Sequence, residues 1–414
     1  MRPFIVIGHP MLSSSLSSLN YQDAFNGIDC LLVQFQPIWR ESPFTQDHPS
    51  WLSDHGELAD ALQNLSDDEL EELEDESNLI AWTQNFLPEL ALLERWQIAP
   101  GQAPLLSAPK FSDVGIPGRK LTQIMSFTSA VTAGKSPAGP IIDWCSGKGH
   151  LARQLHFASR QRVLALEYDP KLCEQGTLLN QQQQADVSLI KQDVLDPALS
   201  LDNSKVSLHT ALHACGDLHK AMLSHACRHH APQIALSPCC YHLTKEPHYQ
   251  ALSRAGQNSE LTLTRSQLRL AVMETVTGGE RVKRLRQQEL LWRTGYDLLQ
   301  RQLTGCDRYQ PTPSINKAQL SGTFEDYCIK MAHWQQLSLP GEVDFQDILH
   351  RAGQKLARIQ RLEKARLGFR KALEWWLLLD RVLYLEEQGY RVEMSQFCER
   401  GITPRNTLIQ AWRD

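Results

Sequence analysis

The chain has 414 residues, 42% of them hydrophobic, with a formal net charge of −5 and a pI near 6.3. That size implies two to three structural units with a large core, and the mild acidity excludes a whole-protein basic field of the kind that marks a general nucleic-acid binder. No apolar run approaches the ~20 residues of a membrane span. The N-terminus lacks a signal-peptide pattern, and the ten cysteines form no C-x-x-C pair. The expectation is therefore a reduced, cytoplasmic protein with no membrane contact.

Residues 1–110 read as an accessory region of α/β character. "PFIVIG" and "CLLVQF" are short apolar runs that suit strands or buried segments. An acidic helix follows: Ser66 with Glu69 is a capping-box pattern, and the acids at 67–76 sit where a helix dipole favours them. That acidic run reads as a solvated helix face. "APGQAPLLSAPKFSDVGIPGRK" is a Pro/Gly-rich connector, and "VGIPGRKLTQIMSF", with Lys120 and Gln123, is expected to form a lid over a cofactor.

From residue 138 the texture changes to short apolar runs alternating with helical segments: "AGPIIDW", "RVLALEY", "VSLIKQD", "VSLHTALHACGD" and "PQIALSPCCYH". This is the alternation of a doubly wound parallel sheet, whose ligands sit at the carboxyl ends of the strands. The first strand runs into Asp143, Cys145, Ser146, Gly147, Lys148 and Gly149 and then a helix. The full G-x-G-x-x-G is absent, and no Gly-Lys-Ser/Thr makes a P-loop. About 20 residues on, Glu167 ends the second strand, where an acid meets the ribose hydroxyls of a nucleoside cofactor. Asp193 ends the third, within reach of an adenine amino group. Glycines and three acids so spaced form the layout of an S-adenosylmethionine site, and a donor without pyrophosphate does not need the third glycine.

The fourth strand ends in His213, Cys215, Gly216 and Asp217, and the fifth in Cys239, Cys240, Tyr241 and His242. Both loops should face the methyl donor. The Cys-Cys-Tyr-His loop has three readings. Zinc needs four ligands, which adjacent cysteines rarely supply together, and a redox dithiol lacks the C-x-x-C context. The favoured reading has no metal: the cysteines pack in a turn on the pocket floor, with Cys215, Gly216, Cys239 and Cys240 lining the substrate side and Tyr241 and His242 facing substrate. Candidates for the catalytic base are Asp217, His213 and His242, in no order. His213 also borders the donor. The histidines of "SHACRHHAP", His225 among them, read as a surface helix.

"DWCSGKGHLAR", "LHACGDL", "SPCCYHL" and the C-terminal "LLLDRVLYLEEQGYRVEMSQFCERGITPRNTLIQA" together resemble the family that includes methyltransferase-like protein twenty-five. The likeness spans roughly residues 115–414. More distantly the chain resembles tRNA 2′-O-methyltransferases that share a Cys-Gly motif after strand four and a Cys-Cys-x-His motif after strand five. Their zinc-finger modules have no counterpart here. The resemblance implies a class I S-adenosylmethionine-dependent methyltransferase, and its distant branch points to RNA.

Between the fifth strand and the last two lie ~145 residues, far beyond an ordinary connection. This insert carries two basic helices, at 281–293 and 351–371. The second holds eight basic residues, including Arg358 and Arg361, against the single acid Glu363. As a free face it would suit a phosphate backbone. The alternative is a helix packed on the acidic N-terminal one.

The expected fold is therefore a class I Rossmann-like seven-stranded sheet at 111–264 with final strands at 389–414. A mostly helical insert occupies 265–388, and the N-terminal region 1–110 packs alongside. The expected activity is S-adenosylmethionine-dependent methylation of RNA (tRNA or rRNA). The alternatives are a protein or small-molecule methyltransferase, or a donor-binding scaffold without chemistry.

Overall fold

The computed structural model describes residues 20–413, apart from 97, 99, 102–111, 134–135, 202–204, 274–279 and 314–319. The chain opens on α1 (Tyr21–Gln34), followed by α2 (Gln36–Arg40), α3 (Trp51–Asp54), α4 (Gly56–Gln63), α5 (Asp67–Glu72), α6 (Glu76–Gln84) and α7 (Leu92–Arg95). "CLLVQF" lies in α1, so the described part of the N-terminal region is helical rather than α/β; "PFIVIG" lies outside the described residues. Ala24, Ile28, Leu31 and Leu32 of α1 are buried at helical spacing. The capping box at Ser66 and Glu69 forms as expected, and α5 has no buried residue.

The core begins with α8 (Gly118–Ala133) and alternates through β1 (Ile141–Trp144), α9 (His150–Ser159), β2 (Val163–Glu167), α10 (Pro170–Gln182) and β3 (Val187–Lys191). It continues with β4 (Leu208–Cys215), α11 (Asp217–Arg228) and β5 (Gln233–Cys239). The short helices α12 (Arg254–Gln257) and α13 (Arg265–Leu270) precede the long α14 (Glu280–Thr304), then α15 (Phe324–Trp334), α16 (Phe345–Gly368) and α17 (Arg370–Glu387). The antiparallel pair β6 (Arg391–Gln396) and β7 (Thr407–Trp412) completes a seven-stranded sheet in the order β3-β2-β1-β4-β5-β7-β6. Strands β1 to β5 are parallel, and β7 runs antiparallel to both neighbours. The order reverses between β1 and β4, which is the switch point where a doubly wound sheet opens its ligand crevice. This is the class I methyltransferase sheet that the sequence predicts. No described helix is long and apolar enough to cross a membrane.

Packing divides the insert differently from sequence spacing. Helix α17 is buried on nearly all sides, from Ala372 to Leu385, and lies against α1, α12 and the sheet strand β6. A helix apolar all round belongs inside, so α17 is the sheet's own covering helix rather than part of an appended unit. The N-terminal helices share one continuous core with it: Phe25, Trp39 and Trp51 cluster with Trp376 and with Trp144 of β1. Helices α14 and α15 build a separate cluster around Trp292, Tyr296 and Tyr327, to which α16 adds Ile348.

The basic helix at 351–371 is not a free positive face. Arg358 donates to the Asp47 carbonyl (2.8 Å). Arg361 donates to the Leu65 carbonyl (2.9 Å) and to Asp67 (2.8 Å). Lys364 meets the Leu73 carbonyl and Glu74, and Arg370 meets Glu76. The cations therefore neutralise the acidic N-terminal segment. Arg358 and Arg361 thus fasten α16 to the N-terminal layer, which is the packing alternative to a free phosphate-binding face.

Candidate active site

The loop after β1 is braced before any ligand arrives. Cys145 and the glycines Gly147 and Gly149 all adopt left-handed φ, at 58°, 58° and 70°. Ser146 N–H donates to the Leu166 carbonyl (2.9 Å), and Gly147 N–H to Glu167 Oε2 (2.8 Å). Buried Arg153 holds the loop from beneath through the Lys148 carbonyl (2.8 Å) and Asn180 Oδ1 (2.9 Å). A Cβ added at Gly147 would meet nothing within 4 Å, so the space over the loop is open for a ligand.

Glu167 also accepts from Asp169 N–H through Oε1 (2.9 Å). Each carboxylate oxygen thus takes one backbone donor and keeps a lone-pair direction for a ribose hydroxyl. Asp193 is exposed, with Oδ1 accepting from Leu195 N–H (2.9 Å). Close to these acids in the chain two apolar side chains stand in solvent, Tyr168 (69% exposed) and Leu195 (50%). Exposed apolar surface flanking two hydrogen-bonding acids is what an adenine ring covers. The sequence reading passed over Tyr168, although its place directly after Glu167 was the available signal.

At the donor's other end, buried polar atoms stand without hydrogen-bond partners: Asp143 Oδ2, Ser146 Oγ, Thr210 Oγ1 and Gln123 Nε2. Thr210 is the β4 residue in register with Asp143. Orphaned buried groups are costly in a native protein. Here they lie along the strands and helix that border the glycine loop, so the residues fit a polar cationic ligand. Burial pushes the Asp143 carboxyl up to about 8, with the Ala152 backbone opposing and the Glu167 charge adding.

On the acceptor side, β4 is irregular. Its register to β5 shifts between Leu212 and Cys215, and His213 takes φ 68°. The turn brings the His213 ring to Gln123, with Nε2 and Oε1 3.0 Å apart. The imidazole is exposed at the mouth of a crevice walled by protein. That wall and then the Lys120 ammonium lower its pKa, while Cys240 opposes. Helix α8 thus sets Gln123 against His213 at the end of β4.

Three other predicted residues are placed differently. Asp217 spends its carboxylate on Lys245 N–H (2.7 Å), with Lys220 3.9 Å away, and so ties the loop after β5 to the start of α11. Gly216 is buried, and a Cβ there would fall 1.9 Å from the Leu243 carbonyl oxygen, so it permits a close backbone approach rather than a substrate contact. Tyr241 is 1% exposed and does not face substrate. Its ring lies under the Arg381 guanidinium (4.8 Å) and edge-on to His219. The reason is Cys240, whose φ of 46° turns the chain and sends Tyr241 inward. His242 remains half-buried, with Nδ1 unpartnered. His225, expected at the surface, is buried on α11 against Trp144.

The cysteines do converge. Cys215 and Cys239 are register partners on β4 and β5, with their sulfurs 3.3 Å apart. The Sγ atoms of Cys215, Cys239 and Cys240 all lie within 4.8 Å of one another.

Comparison with known proteins agrees with this geometry. Residues 119–247 match a family model described as a methyltransferase domain. A glutathione S-transferase C-terminal domain-containing protein from Xenopus laevis is 28% identical over 147 residues, 35% of this chain. The matched stretch spans only 23% of that relative's own length. Among solved structures, magnesium protoporphyrin IX methyltransferase from Synechocystis with bound S-adenosylhomocysteine is 16% identical, over 39% of this chain and 71% of that one, at a TM-score of 0.25. Geranyl diphosphate C-methyltransferase from Streptomyces coelicolor is likewise 16% identical, over 34% and 56%, at a TM-score of 0.25. Residues 119–247 thus carry a match to a methyltransferase domain, within a sheet whose strand order is that of the class I methyltransferase fold.

Proposed function

We propose that the protein methylates RNA, with tRNA or rRNA as the acceptor. The donor supplies a methyl group already activated on sulfonium, and the chain's residues have to orient the acceptor and hold a proton. Glu167, Asp193 and Tyr168 fix the nucleoside end. Asp143 and Ser146 offer acceptors to the cationic end. His213 is the residue best placed as base: with Gln123 Oε1 accepting from Nε2–H, its Nδ1 is left to take a proton. Its lowered pKa keeps the ring neutral at physiological pH.

The observation that supports an anionic acceptor is the rim. After burial, nearby cations lower three imidazole pKa values: Lys120 that of His213, Arg269 that of His242, and Arg153, Lys120 and Lys148 that of His150. Lys120 and Arg269 are exposed, as are Arg281, Arg284 and Arg286 on α14. A local cationic mouth on a chain of net charge −5 favours a polyanion over a neutral metabolite.

The test is transfer of a radiolabelled methyl group from S-adenosylmethionine into total RNA, protein and metabolite pools of cells lacking the gene. Label in nuclease-sensitive material, falling steeply with added salt, is the expected result. Label confined to protease-sensitive or small-molecule fractions would replace RNA by those acceptors. Donor binding with no label in any pool would favour a scaffold.

A further inference from the structure

Three thiols from two strands meet at the acceptor side of the crevice, and the activity proposed above uses none of them. In regular strands this would not happen, because successive side chains point to opposite faces and the adjacent Cys239 and Cys240 would diverge. Two non-glycine residues in left-handed conformation undo the alternation. Cys240, at φ 46°, folds its side chain back toward Cys239. His213, at φ 68° in the β4 irregularity, resets the register so that Cys215 pairs with Cys239. Non-glycine residues held there are strained and persist where the surroundings impose them.

We propose that Cys215, Cys239 and Cys240 form a binding site for a thiophilic metal ion of the Zn²⁺ class, with three thiolate ligands and a fourth position open toward the crevice. Distances support it. With metal–sulfur bonds of ~2.3 Å, a tetrahedral site holds its sulfurs about 3.8 Å apart. The cluster already lies within 4.8 Å throughout, and its tightest pair, Cys215 and Cys239 at 3.3 Å, needs to open by only about half an ångström. A disulfide would demand the opposite movement, to about 2.05 Å.

The residue chemistry agrees. Cys240 stands beside the Cys215–Cys239 pair, so three soft sulfur ligands are gathered for one cation. Three protein ligands with an open position is the arrangement of catalytic rather than structural zinc. The thiol protons are released as the ion binds.

The proposal stands apart from the identity of the acceptor and is tested without methyl transfer. The full chain, purified under reducing conditions and stripped of metal, is titrated with Co²⁺ and then Zn²⁺. Expected are a thiolate-to-cobalt charge-transfer band at one ion per chain, its bleaching by Zn²⁺, and loss of the band in Cys215→Ser and in Cys240→Ser. The band survives in Cys306→Ser, whose cysteine lies outside the cluster, and circular dichroism checks that each variant folds. No band in the folded wild-type chain, or an undiminished band in both cluster variants, overturns the site. So does a thiol count showing that Cys215 and Cys239 resist reduction as a disulfide.

Discussion

Asp143 carries the sharpest consequence of burial at the scale of single residues. Its carboxyl is buried, has an unpartnered oxygen and is held up to about 8. In the unfolded chain it ionises near 3.8, so the native state keeps a proton that the unfolded state has lost between those values. Stability from this group is therefore greatest below 3.8, declines as pH rises toward 8, and is constant above. A cationic donor entering the loop favours the carboxylate and expels that proton. S-adenosylmethionine affinity should accordingly rise with pH until about 8 and then level, and Asp143→Asn should flatten the profile. Calorimetry in buffers of different ionisation enthalpy reads the proton release directly; none at pH 7 would contradict the placement. Asp143, Gly147 and Glu167 were legible from sequence because glycine and acids at strand ends have short-range causes. The thiol cluster was not. It depends on left-handed φ at His213 and Cys240, and neither residue type announces that conformation as glycine does.

At the scale of elements, α16 shows why charge patterns mislead when read alone. Its cations recur as a phosphate-binding helix would place them, yet their partners Asp47, Asp67 and Glu74 lie some 290 to 310 residues earlier in the chain. No local pattern encodes such a pairing. Lys364 is 3% exposed and holds both the Leu73 carbonyl and Glu74. Lys364→Met should cost about 1–3 kcal/mol, since it strands a buried acceptor, and should lower the melting temperature while leaving RNA affinity unchanged. Weakened RNA binding at an unaltered melting temperature would return α16 to the substrate surface. Helix α1 makes the same point about "CLLVQF": a six-residue apolar run fits a strand or a buried helix equally well, and only the wider spacing from Ala24 to Leu32 separates them.

Over the whole molecule, the helical N-terminal layer and α17 share one core with the sheet, so the accessory region supports the domain rather than hanging from it. Buried Asp380 and Arg381 of α17 extend that support to the acceptor side. Asp380 accepts from Tyr249, Leu252 and Ser253, and Arg381 reaches His219 and packs over Tyr241. The seven-stranded order was readable because each strand is a short apolar run ending in small or polar residues. The three-dimensional role of α17 was not, because burial on every side arises only once its neighbours are assembled. The proposed methyl transfer rests on donor binding at the carboxyl ends of β1 and β2. Calorimetric titration of the full chain with S-adenosylmethionine tests it most directly: the expected result is one-to-one binding, weakened at least about tenfold in folded Glu167→Ala, as befits the loss of hydrogen bonds to a charged acceptor. No binding to the folded wild-type chain, or equal binding to both proteins, would contradict it.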